Sequence, residues 1–135
     1  MLKISAFARP KTLEVQGATL KLKPAEPSQS YEASGLADIL YNEAIKMVGA
    51  DEFANQPIEK RLGLRRSLES QAFLQTYLDE IDGIEIDGGL DPLSSEGIAF
   101  MQMHRPSFLY AVQSALEAVL EPKPREKKGS KNLRD

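Results

Sequence analysis

The period of the apolar pattern changes once, across a proline-rich step, and that change most limits what this chain can fold into. Residues 12 to 23, TLEVQGATLKLK, alternate in period two, with Leu13 and Val15 on one face and, after Gly17, Leu20 and Leu22 on one face. Two short runs around a Gly-containing turn read as a β-hairpin, with Glu14, Lys21 and Lys23 toward water. Pro24 and Pro27 end the second strand, because proline has no N–H to donate to a ladder. Ser28 or Ser30 then caps a helix expected to start near residues 28 to 31.

From there the period is helical. Leu36, Ile39, Leu40, Ala44, Met47 and Val48 recur at three- and four-residue steps and form one stripe, with Gly35 interrupting the pattern and Gly49 stopping it. The polar stretch ADEFANQP reads as a connection, and Pro57 opens a second helix. Leu64, Leu68, Ala72, Leu74, Tyr77, Leu78 and Ile81 carry its stripe through Ile81, while Gly63 marks a kink or an early break. The segment DGIEIDGGLDPLS, at 82 to 94, holds Asp-Gly turn signals around Ile84 and Ile86 and is expected to be a loop or small strand. Ser94 or Ser95 caps a short helix that Pro106 closes or kinks, and Phe108, Val112, Ala115, Leu116, Val119 and Leu120 mark a last helix.

The fold class expected is therefore mainly α (α+β). A hairpin at about 12–23 is joined to about four helices, at about 30–48, 57–81, 95–104 and 107–120. A single compact domain over 1–121 is expected, followed by a flexible basic tail. That tail, PKPREKKGSKNLRD at 122–135, carries six Lys or Arg against two acids, whereas residues 1–121 carry eleven bases and eighteen acids. A body of charge −7 is thus joined to an arm of +4, the layout of a folded module with a solvated interaction segment.

The composition excludes several chemistries. The chain has no Cys, which removes disulfides, thiolate metal sites and Cys nucleophiles, and its single His rules out a His-rich metal site. No HExxH, GxSxG or Walker sequence is present, so no catalytic residue and no cofactor is assigned. His104, beside Pro106, reads as a helix-end or surface residue. The acids Asp79, Glu80, Asp82, Glu85, Asp87 and Asp91 fail as an EF-hand: Gly83 falls at the first ligand position and Ser94 at the twelfth. A solvated acidic loop is the simpler reading. Nucleic acid is disfavoured as a partner by the acidic body and by a tail without aromatic residues. No stretch approaches the roughly 20 apolar residues of a membrane span, and the N-terminal apolar run is too short for a signal peptide. A soluble, unsecreted protein is expected.

The candidate contact residues lie near the end of the domain. Phe100, Met101, Met103 and Phe108 form an adaptable apolar cluster, read either as core between the last two helices or as a partner groove. Leu109 and Tyr110 are assigned off the buried stripe of the last helix and so to a second contact. Lys127 and Lys128 are the candidate docking residues of the tail.

Taken in order, KTLEVQGATLKLKPAEPSQSYEA at 11–33 and DGGLDPLSSEGIAFMQMHRPSFLYAVQSALEAV at 87–119, followed by a charged C-terminus, resemble the tail assembly chaperones of long-tailed bacteriophages. The resemblance spans most of the chain as a pattern of layout. It implies a non-enzymatic, self-associating protein of the bacterial host's cytoplasm that binds the tape measure protein and helps recruit the tail tube protein. In many such families a programmed frameshift near the end of the reading frame makes a longer form, and Lys127-Lys128-Gly129 is where a slippery run would fall. The second reading is a small bacterial adaptor or regulatory module whose basic arm docks on a negatively charged partner.

Overall fold

The structure, a computed structural model, describes residues 1–121; the tail with Lys127 and Lys128 lies outside the described residues. The hairpin forms as the alternation requires. Strands β1 (Thr12–Val15) and β2 (Ala18–Leu22) pair antiparallel with Val15 opposite Ala18, leaving only Gln16 and Gly17 in the turn. Both turn residues have positive φ, 50° and 87°, the backbone of a type I′ turn, whose twist matches that of the strands it joins. Leu13, Val15, Ala18, Leu20 and Leu22 point to the core side, and Thr12, Glu14, Thr19 and Lys21 to water.

Helix α1 spans Gln29–Val48 and runs through Gly35. Ser28 precedes it, but its hydroxyl is bonded to the Glu32 carboxylate and accepts no backbone N–H. The segment read as a polar connection holds a short helix, α2 (Ala50–Ala54), because Phe53 is buried edge-on against Tyr41, with ring centroids 5.7 Å apart. Helix α3 (Ile58–Tyr77) runs through Gly63 and packs along α1.

The expected helix over 57–81 ends four residues early. Leu78–Asp82 forms a strand, β3, antiparallel to β2, so the sheet has three strands in the order β1-β2-β3. Leu78 and Ile81 are three apart, a helical spacing, yet both face the core from a strand. The register explains this: Leu78 pairs with Leu22 and Glu80 with Lys21, so Asp79 is an extra residue that shifts the following side chains by one. A β-bulge therefore satisfies a spacing that reads as helical. Residues 84 to 86 form no strand, and Asp87–Gly89 makes one 3₁₀ turn.

Helix α4 (Ser95–His104) begins at a true cap, with Ser94 Oγ accepting the Gly97 N–H at 3.0 Å. Helix α5 (Pro106–Leu120) starts with proline in its first turn, where no helical donor is lost. The core is built from the sheet's inner face, the C-terminal part of α3, α4 and α5, with Leu20, Leu74, Leu78, Ile98, Val112 and Leu116 fully buried. Helix α1 adds little to it: only Gln29 and Ala37 of its twenty residues are buried.

Candidate protein-binding surface

The sequence-derived contact residues are dispersed by the fold. Met101 and Leu109 are buried in the core, so neither is available on the surface. For Leu109 this corrects the assignment to a second contact face: Leu109, Val112 and Leu116 follow one another at three and four residues, and together they form the buried stripe of α5. Phe100 is half-buried and lines an open cleft of about 770 Å³ between the 84–87 loop and the start of α5, with Phe108 and Ile84. His104 stands at the cleft's edge, its ring 4.5 Å from that of Phe100. Tyr110, 78% exposed, belongs to a different cleft with Phe73 and Gln113, between α3 and α5. Met103 is 75% exposed on α4.

That second cleft has a polar floor whose groups are already engaged. Ser67 Oγ donates to Gln102 Oε1 at 2.9 Å, Gln102 Nε2 donates to the Ser67 carbonyl at 3.1 Å, and Ser70 Oγ donates to Gln113 Oε1 at 3.0 Å. Such pairs fix α3 against α4 and α5 and leave few polar groups for a ligand.

Other exposed apolar side chains stand on α1 and the N-terminal half of α3. Ile39, Met47, Ile58 and Leu62 are all exposed, Met47 at 88%, and Leu36 and Leu40 are only half-buried. The periodicity places Ile39 and Met47 on one stripe of the helix, and the core does not bury that stripe as a whole. The reason is the stripe's width: at 3.6 residues per turn Ile39 and Val48 lie about 180° apart, more than one packed helix covers.

What holds α1 in place is partly ionic. Arg65 on α3 donates to Asp38 at 2.7 Å and to Glu69 at 3.1 Å, and its guanidinium lies 4.8 Å from the centre of the Tyr41 ring. These bonds, Glu69 first and then Asp38, raise the Arg65 pKa. At the base of α1, buried Gln29 donates to the Thr76 carbonyl at 3.3 Å and accepts from Arg9 at 2.7 Å. Arg9 also donates to the Lys23 carbonyl and lies over the Tyr77 ring, so three segments meet at one guanidinium.

Of the acids read as a solvated loop, Asp79, Glu80 and Asp82 lie instead in β3. Lys21 bridges Glu80 at 3.0 Å and Asp82 at 3.4 Å across the polar face of the sheet, and its hydrogen bond to Glu80 is the main cause of its raised pKa. Among the described residues no group of three or more His, Asp or Glu is placed to hold a metal ion. Among them, too, no helix is long and apolar enough to cross a membrane. Comparison with protein-family models, curated proteins and solved structures finds no match.

Proposed function

We propose that this chain is a non-enzymatic assembly chaperone of the phage-tail type, which shields apolar stripes of a long helical client, the tape measure protein, while tail tube subunits are recruited. One observation carries the reading: α1 and the first half of α3 leave Ile39, Met47, Ile58 and Leu62 uncovered on a helix pair. A pair of helices with a spare apolar flank offers helix-against-helix burial to an amphipathic client. Met47 adds a side chain that adapts to varied partners. Several copies, each bound weakly, can together cover a long chain through avidity.

The test is co-expression with a tape measure fragment that precipitates alone. Wild-type chain is expected to bring the fragment into the soluble fraction, and the doubly substituted Ile39→Glu, Met47→Glu chain to fail while remaining folded. A client no more soluble with the chain than without it, at any salt concentration, overturns the proposal. Removal of 122–135 separates it from the adaptor reading: the chaperone retains its client, whereas an adaptor working through the basic arm loses its partner.

A further inference from the structure

Among the described residues no strand pairs with the outer edge of β1, and the chain carries a segment patterned to fill it. β1 is an edge strand. Because the turn between Val15 and Ala18 has two residues, Val15 with Ala18 and Leu13 with Leu20 are the hydrogen-bonded pairs, and Lys11 continues the phase by accepting from the Leu22 N–H. The backbone N–H and C=O of Thr12 and Glu14 therefore point outward from the sheet. On the core face α5 packs against β1 but leaves Leu13 only half-buried, whereas Leu20 opposite is fully buried.

Residues 2 to 6, LKISA, precede this edge and alternate in period two, with Leu2, Ile4 and Ala6 on one face and Lys3 and Ser5 on the other; Phe7 falls on the Lys3 face and ends the alternation. They form no helix or strand, and Leu2, Ile4 and Phe7 are exposed, Ile4 at 87%. We infer that this segment of one copy adds to the outer edge of β1 of a second copy as a fourth, antiparallel strand. The two-faced character of the sheet limits the registers to steps of two residues, and opposite charge favours the one with Lys3 opposite Glu14 and Ser5 opposite Thr12. It places Lys3 beside the Glu14 carboxylate on the polar face. It also places Ile4 over half-buried Leu13 and Leu2 over Val15 on the core face. A register shifted by one residue would send Leu2 and Ile4 to water. Edge pairing of this kind supplies backbone hydrogen bonds for affinity and alternate side chains for selectivity.

A second copy is the occupant, rather than the same chain folded back, because the base of the segment is fixed. Arg9 is held by the Lys23 carbonyl, Gln29 and the Tyr77 ring, toward β2 and α1 and away from the free edge of β1. Pro10 restricts the reversal that a fold-back would need. The inference goes beyond the client reading and does not depend on the client's identity.

The absence of cysteine gives a direct test on the full chain. Two singly substituted chains, Ser5→Cys and Thr12→Cys, are mixed and oxidised. In an antiparallel bonded pair the Cα atoms stand about 5.5 Å apart, inside disulfide range. The expected product is a cross-linked species of twice 14.9 kDa, well in excess of that from either chain alone. Sedimentation of the wild-type chain is expected to show concentration-dependent association, weakened about tenfold or more by Ser5→Pro, which removes the N–H that pairs with Thr12. Three results overturn the inference: no excess cross-link in the mixture, an internal disulfide in the doubly substituted monomer without one between copies, or Ser5→Pro sedimenting as the wild type does.

Discussion

Glycine to alanine at Gly97 and at Gly63 is the same chemical change in two helices, and the structure assigns it opposite signs. In an exposed helix interior alanine is favoured over glycine by about 1 kcal/mol, through the lower backbone entropy of the unfolded chain. At Gly63 nothing lies within 4 Å of the position a Cβ would take, so the full gain is expected. At Gly97 the added carbon would sit 1.9 Å from the Asp91 carbonyl oxygen and 2.9 Å from its carbon. Both are backbone atoms, so no side-chain rotation relieves the overlap.

The Asp91 carbonyl cannot retreat without consequence, because it accepts from the Ser94 N–H at 3.0 Å and from Ser94 Oγ at 2.7 Å. Ser94 Oγ in turn caps α4 through the Gly97 N–H. Overpacking typically costs about 1–3 kcal/mol, and loss of a serine cap about 1 kcal/mol. Set against the propensity gain, Gly97→Ala is expected to destabilise by about 1–3 kcal/mol. For a domain of this size that corresponds to a fall in Tm of about 4–12 °C, against a rise of about 4 °C for Gly63→Ala. Urea unfolding of the two variants beside the wild type, followed by far-UV circular dichroism with a common slope, measures both. Gly97→Ala as stable as the wild type would refute the close approach of α4 to the 91–94 turn.

Other consequences are smaller. Gln16 has φ of 50° in the hairpin turn, and Gln16→Asn, which tolerates that backbone better, is expected to raise stability by about 0.5 kcal/mol in the same urea assay. Lys21 has its pKa raised above 10.5 by Glu80 and Asp82, so its contribution is complete below that pH and fades as pH rises through the higher folded value. Stability of the wild type is therefore expected to fall more than that of Lys21→Met above pH 10.5, by a small margin given the solvent exposure of the group. With so little of α1 buried, its amides are expected to exchange hydrogen faster than those of α5; equal protection, limited only by global unfolding, would contradict its marginal packing.

The hairpin and the four longer helices were legible because each rests on local signals: two-period alternation around Gly17, and capping or proline at Ser94 and Pro106. Gly35 and Gly63 were poor guides to helix ends, since single glycines with open surroundings lower helix stability without breaking it. β3 was not legible. Its apolar spacing continued the helix, and only the pairing with β2, with Asp79 as the extra residue, converts Leu78 and Ile81 into strand residues. The contact residues were read least well, because helical spacing reports that an apolar face exists and not which neighbour covers it. On α5 the spacing of Leu109, Val112 and Leu116 did contain the answer, and Leu109 belonged to it. On α1 the stripe was wider than α3 could cover, which left Ile39 and Met47 outside.

The uncovered flank of α1 follows from how the helix is held, and a small roll would not remove it. Arg65 grips Asp38 and Tyr41 while Ala37 is buried, which fixes the face that α1 turns to α3. Ile39 lies about 160° around the helix from Ala37, so burying it by rotation would expose Ala37 and break the Arg65 contacts together. No intermediate roll satisfies both. Leu36, Leu40 and Met47 share the region between, half-buried or exposed. The chain thus leaves apolar side chains on α1 that its own core does not absorb, and these are the side chains the proposed function assigns to contact with a helical partner.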